Sequence, residues 1–214
     1  MNLSTPKQFL GLGNHTVLFH SIQRFLNLPS IIEIIVVCPL KYIDSASLRD
    51  SIPSSVSIPI TLVAGGKQRQ ESVVNGLNAV NTDASIVCIH DGVRPLVHPD
   101  LIQKSIDLCK KYDGAIIAAR SINTLKEVSA GTIIRTLDRN TIWQAQTPQT
   151  FRKTVIKHAY DHARKNRLTA TDDADFVEAI GGNIAVVESI SWNIKITGPD
   201  DLLIAQTLLE KETL

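Results

Sequence analysis

The chain has 214 residues, of which 43% are hydrophobic and 20% charged, and a formal net charge of +1. That balance builds an ordinary buried core and argues against disorder. It also leaves no broad field of either sign, so neither nucleic acid nor a membrane surface is expected as a partner, and any ionic function rests on a few placed residues.

Cys38, Cys88 and Cys109 form neither a CxxC nor a metal-type cluster, which fits a reducing compartment. With no apolar run of about 18 residues and no charged or apolar leader pattern at the start, a cytoplasmic protein is expected.

Short β-branched runs alternate with stretches of helical periodicity, the signature of βαβ units and a largely parallel sheet. Gly11-Leu12-Gly13 lacks the third glycine and the preceding strand of a dinucleotide fingerprint and reads as a turn. Residues 31–39 (IIEIIVVCP) read as a strand buried on both faces. Residues 58–64 are the next strand and end in Gly65-Gly66, after which Val73, Val74, Leu77 and Val80 predict a helix over 69–80. Residues 85–90 (SIVCIH) form a third strand and run into the turn His90-Asp91-Gly92-Val93-Arg94-Pro95.

Pro99 starts a helix that reaches about Tyr112, and residues 114–120 (GAIIAAR) are a fourth strand. Over 121–141 the pattern changes to two short segments, 124–128 and 132–137, flanking the hairpin turn Ser129-Ala130-Gly131, so this stretch projects as an arm. Residues 143–150 read as a polar loop opening a helix over 150–165, with Thr147 or Thr150 as its cap, and Thr171 caps a shorter helix over 172–179. Residues 183–188 and 192–197 read as strands, and a last helix opens at Gly198-Pro199-Asp200-Asp201. No repeat or linker interrupts the pattern, so one α/β domain over residues 1–214 is expected.

Ligands of open α/β sheets bind beyond the carboxyl ends of the strands, which singles out three places. Gly65-Gly66-Lys67-Gln68-Arg69-Gln70-Glu71-Ser72 offers backbone N–H groups and a helix N-terminus to an anion, or is simply a tight turn with solvated charges. Asp91 is placed to hold a divalent cation against phosphate oxygens. Arg94 is placed to pair with a phosphate or with Asp91 itself, the latter giving only a structural ion pair. Lys195 alternates away from Ile194 and Ile196, where its ammonium meets an anion or reaches water. The six histidines show no HExxH spacing and no GxSxG elbow is present, so neither a zinc site nor a serine nucleophile is expected.

Seven motifs stand together in order: Pro6-Lys7-Gln8, Gly65-Gly66-x-x-Arg69-x-x-Ser72, His90-Asp91-x-x-Arg94-Pro95, Asp138-Arg139-Asn140, Ala145-Gln146-Thr147-Pro148-Gln149, Thr171-Asp172-Asp173-Ala174 and Asn193-Ile194-Lys195-Ile196-Thr197. This set resembles the 2-C-methyl-D-erythritol 4-phosphate cytidylyltransferases of the non-mevalonate isoprenoid pathway. The resemblance implies a Rossmann-like nucleotidyltransferase fold with a mostly parallel mixed sheet and a β-hairpin arm through which two copies dimerise. It implies attack of the acceptor's phosphate on the α-phosphorus of CTP, with magnesium as cofactor and pyrophosphate leaving.

It further implies a catalytic set of Lys7, Arg139 and Lys195. Lys7 stabilises the transition state, and Lys195 holds the acceptor phosphate or the α-phosphate. Asp91 serves the Mg²⁺–phosphate cluster. Gly66, Lys67 and Ser72 contact the cytosine ring, and Arg69 and Thr147 complete the substrate-binding set. Arg94, Thr171, Thr124 and Arg139 bind the acceptor, the last two reaching from the partner's arm.

Two departures accompany the match. Family members place a first strand and a Gly-rich loop with a basic residue well ahead of the Pro-Lys-Gln motif, whereas here Met1 to Pro6 precede Lys7. A longer natural chain is therefore expected, along with unpaired strand edges near the centre of the sheet in this one. Asn123 stands where the family usually carries an acidic residue before Thr124. The motifs leave open a ribitol-5-phosphate cytidylyltransferase and a non-catalytic dimeric remnant without the triphosphate loop.

Overall fold

The computed structural model describes residues 5–54, 56–190 and 192–212. A small hairpin of β1 (Gly11–Leu12) and β2 (His15–Thr16) feeds α1 (Val17–Leu26), then come β3 (Ile34–Cys38), the single-turn α2 (Ala46–Arg49), β4 (Ile60–Ala64), α3 (Arg69–Ala79), β5 (Ile86–Ile89), α4 (Pro99–Leu108) and β6 (Gly114–Arg120). The arm hairpin of β7 (Lys126–Ser129) and β8 (Thr132–Thr136) follows, then β9 (Trp143–Arg152), α5 (Lys153–Asn166), α6 (Asp173–Glu178), β10 (Ile184–Ser189) and α7 (Pro199–Glu212). The β-branched runs thus form strands where composition predicts them, with tighter ends.

The main sheet has the order β10-β6-β9-β5, with β10 parallel to β6 and β9 antiparallel to both its neighbours. β3 and β4 pair in parallel as a separate ribbon. A cavity of about 630 Å³ lies between the two, lined by Ile34 and Val36 of β3 and by Val87 and Ile89 of β5. Neither β3 nor β5 has a second ladder partner among the described residues, so the expected unpaired edges fall at this cavity.

Helices cover both faces of the main sheet. On one, α3, α5 and α6 bring Leu77, Ile156, Tyr160, Phe176 and Val177 onto Phe151 of β9. On the other, α1 and α4 pack Phe25, Ile102 and Ile106 against Ala115, Ile117 and Val187. Phe151 is fully buried, and truncating such a ring to alanine costs about 3–5 kcal/mol. No described helix is long and apolar enough to cross a membrane.

Two expectations are corrected, and one helix was not expected. Residues 143–150 are not a loop but most of β9, because Gln146, Thr147, Gln149 and Thr150 are buried with hydrogen-bond partners that replace water. Residues 192–197 form no strand; Trp192 lies in a turn, Asn193 in a bend and 194–197 have no regular structure, and Ile196 N–H donates to the Val93 carbonyl at 2.9 Å, outside any ladder. Helix α1 was unforeseen. Its start is capped by the Thr16 hydroxyl, which accepts from Phe19 N–H at 3.2 Å, and its buried stripe is Val17, Leu18, Ser21, Ile22 and Phe25.

Candidate active site

The turn after β5 is the polar centre of the site. Asp91 Oδ2 accepts from Lys195 Nζ at 3.0 Å and from Arg94 Nε at 3.3 Å. Arg94 Nη1 donates to the Asn193 carbonyl at 2.7 Å, tying the turn to the Lys195 segment. Asn193 is buried, and its Nδ2 donates to the Thr147 carbonyl at 2.9 Å and to Gln146 Oε1 at 3.1 Å. Leu12, Val17, Leu96, Ile196 and Ala205 form the apolar floor beneath, so α7 and the N-terminal hairpin support the same corner.

His90 orients the turn from inside. Its Nε2 faces the Arg94 carbonyl at 3.0 Å, and a carbonyl only accepts, so Nε2 carries the proton. Nδ1 therefore accepts from the Thr147 hydroxyl at 3.1 Å, whose oxygen in turn accepts from Asp91 N–H at 3.0 Å. Burial lowers the His90 pKa to about 4, which keeps the ring neutral near pH 7. Burial pushes the Asp91 carboxyl up, but the hydrogen bond and charge of Lys195, with the charge of Arg94, outweigh it and hold the group below the usual carboxylate range.

The Lys195 side chain is 44% exposed, so its ammonium can leave Asp91 for an incoming phosphate. Ile196 behind it is fully buried, which fixes the segment while leaving the lysine outward. Lys7 lies in a 3-10 turn, Lys7–Phe9, whose Phe9 is buried. The charge of Lys7 is one of the weaker influences holding Asp201 below its ordinary value, after the hydrogen bonds from Thr197 and Gly198. That influence links Lys7 to Asp201 at the start of α7, whose carboxylate also accepts from Thr197 and Gly198.

The Gly65–Ser72 loop is closed on itself. Gly66 N–H donates to Ser72 Oγ at 3.0 Å and Lys67 N–H to Glu71 Oε2 at 2.7 Å. A Cβ on Gly66 would stand 2.2 Å from Glu71 Cβ, so no other residue fits this turn. The N–H groups that the sequence pattern offers to an anion are thus engaged by Glu71 and Ser72, and no sequence signal pointed to this role of Glu71. Lys67 is exposed. Arg69 turns away to Asp173, its Nη1 on Oδ1 at 3.0 Å and Nη2 on Oδ2 at 2.5 Å.

Three cap expectations are also corrected. Thr147 serves His90 and Asp91, and Thr150 pairs its hydroxyl with Ser105 at 2.7 Å, so neither caps α5. Asp172, not Thr171, caps α6, accepting from Asp175 N–H at 3.1 Å; Thr171 is exposed beside it. Thr124 and Arg139 lie exposed at the base of the arm, where Arg139 Nη1 donates to the Ile122 carbonyl at 3.1 Å. Within one chain no hydrogen bond joins either to the Asp91 corner among the described residues. There is also no group of three His, Cys, Asp or Glu side chains poised for a metal among those residues.

A family model described as 2-C-methyl-D-erythritol 4-phosphate cytidylyltransferase (IspD) matches residues 1–211. A protein of that name from Syntrophus aciditrophicus is 43% identical over 215 residues, covering 99% of this chain and 91% of the relative. Another from Clostridioides difficile is 40% identical, covering 99% and 89%. Among solved structures, 4-diphosphocytidyl-2C-methyl-D-erythritolsynthase from Anaerococcus prevotii matches with a TM-score of 0.87 at 28% identity, covering 95% of this chain and 93% of that one. The Francisella tularensis 2-C-methyl-D-erythritol 4-phosphate cytidylyltransferase matches at 0.81 and 32% identity, with 95% and 93% covered.

Proposed function

This chain belongs to the 2-C-methyl-D-erythritol 4-phosphate cytidylyltransferase family, and from that membership we infer that it joins CTP to 2-C-methyl-D-erythritol 4-phosphate in isoprenoid precursor synthesis. A phosphate oxygen of the acceptor attacks the α-phosphorus of CTP, and the bond to the β-phosphate breaks with its electron pair leaving on pyrophosphate. Such a displacement asks the protein mainly for positioning and cationic stabilisation.

The observation that carries this reading is the Asp91 corner, where one half-buried carboxylate holds two cations in place. Lys195, drawn off Asp91 by phosphate, aligns the attacking group, and Lys7 adds positive charge where the transition state needs it. Arg94 and Thr171 take the acceptor. The Gly66–Lys67 turn, held by Ser72, presents backbone to the cytosine ring, with Arg69 and Thr147 as supports.

A divalent cation, Mg²⁺, fits this donor set. Magnesium takes one or two carboxylates together with substrate phosphates, and Asp91 Oδ1 is not used by Lys195 or Arg94. When bound, the ion neutralises triphosphate charge. The arm brings Thr124 and Arg139 to the partner's acceptor site in a homodimer, which is consistent with their exposure here.

A ribitol-5-phosphate cytidylyltransferase shares most of the CTP motifs, so acceptor identity is the point to test. Pyrophosphate release is measured with CTP, Mg²⁺ and each acceptor in turn. The expected result is turnover with 2-C-methyl-D-erythritol 4-phosphate; turnover with ribitol 5-phosphate alone would overturn the assignment.

A further inference from the structure

Asp173 is a fully buried carboxylate that the reaction does not use. Burying a charge is expensive, and replacing a buried ion pair by apolar groups is often neutral for stability. A carboxylate placed among Tyr160, Ala174 and Phe176 therefore calls for a role other than stability.

Two of the groups around Asp173, Arg69 and Gln149, lead to different parts of the proposed site. The two Asp173 oxygens hold both terminal nitrogens of Arg69, which opens α3 one residue past the Gly66–Lys67 turn. Its Oδ1 also accepts from the Tyr160 hydroxyl. Burial and the neighbouring carboxylate raise the pKa of that hydroxyl well above the ordinary phenol value, so it stays a donor. The backbone N–H groups of Asp173 and Ala174 donate to Gln149 Oε1 at 2.9 and 3.1 Å, while Gln149 Nε2 donates to Asp172 Oδ2 at 2.7 Å. Gln149 shares β9 with Thr147, which holds Asp91, and Asp172 follows Thr171. Arg69 is the outer end of the network, with 43% of its side chain exposed.

We propose that Asp173 is a positioning residue: through Arg69 and Gln149 it fixes the spacing between the nucleobase loop and the Thr171 loop, so that both substrates meet at Asp91. This rests on the cytidylyltransferase reading of the site. An anchor of this kind works by geometry. Arg69 grips with two parallel N–H donors, which sets an orientation that a single-point lysine contact cannot.

The test uses the full chain and the variants Arg69→Lys, Asp173→Asn, their double, and Tyr160→Phe. Kinetic constants for both substrates are measured together with hydrogen exchange of residues 65–72 and 171–175 without substrate. Arg69→Lys and Asp173→Asn should each raise KM for both CTP and the acceptor about tenfold or more, with kcat far less affected. The double should be no worse than the poorer single, because the two act as a unit. Each single should speed exchange in the loop it does not belong to, and Tyr160→Phe, which keeps the ion pair, should stay near wild type.

A lower melting temperature with both KM values unchanged would reduce Asp173 to a structural part, and movement of only one KM would refute the spacing role. Should Asp173→Asn not fold, Arg69→Lys decides alone, since it alters the exposed end of the pair. If the wild type turns over neither acceptor while the two loops remain coupled in exchange, the functional reading fails and the anchor stands. An active wild type whose loops exchange independently does the opposite: the function stands and the anchor fails.

Discussion

At the Asp91 corner the carboxylate, the backbone N–H and both imidazole nitrogens of His90 have partners from the same chain. Along the arm the opposite holds. Every residue of β8 is exposed, and Ile122, Val128, Ile133 and Ile134 present apolar side chains to solvent. The turn of the arm, Ala130-Gly131, takes positive φ at both residues, as a type I′ hairpin turn requires, and Glu127 pairs with Arg135 across the strands. The arm is thus a well-formed hairpin whose apolar residues are left mostly uncovered by the described residues of one chain. The difference separates the half of the proposed site that one chain completes from the half that, on the homodimer reading proposed above, waits for a second copy.

Breaking the corner has the largest expected effect. Lys195→Ala should cut turnover by about two orders of magnitude, the scale of losing one transition-state donor, while melting temperature changes little because the ammonium is half-exposed. Pyrophosphate release near the wild-type rate would remove Lys195 from the chemistry.

Acid tests the same corner without a substitution. The folded His90 pKa of about 4 lies below the unfolded value, so as pH falls the unfolded chain takes the proton first. Stability is therefore complete above about pH 6.5 and is lost between there and about pH 4. The depressed Asp91 carboxyl adds its own loss only at lower pH, as pH falls through its folded pKa. Denaturant unfolding should show a loss of no more than about 2 kcal/mol at pH 5. In His90→Asn this slope should flatten; an unchanged slope would place the titration elsewhere.

These tests bear on how far the sequence could be read. The buried strands and the hairpin were legible because β-branched runs and turn residues act locally. The lysine at 195 stood out because Ile194 and Ile196 frame it, although the strand alternation behind that reading does not form. β9 was not legible: Gln144, Gln146, Thr147, Pro148 and Gln149 carry no strand pattern, and proline argues against a central strand. What makes the segment a strand is long-range, with Gln149 held by the start of α6 and Thr147 by His90 and Asp91. Local rules fail where a functional site supplies the partners. The Arg69–Asp173 pair was illegible for the same reason, since 104 positions separate its members.

The arm gives the smaller effect and the sharper comparison. Ile133→Asp with Ile134→Asp changes two side chains that are each 59% exposed, so a single chain should lose no more than about 0.5 kcal/mol per site. A dimer that buries them would have to bury two carboxylates per arm, and it should dissociate. If the partner's Thr124 and Arg139 complete the acceptor site, the monomeric variant should bind CTP normally yet show acceptor KM raised by about tenfold, on the scale of one lost charged hydrogen bond. Sedimentation and steady-state kinetics at matched concentrations check both halves. A variant that is monomeric and fully active would show that the corner suffices alone; one that stays dimeric would move the interface off the arm.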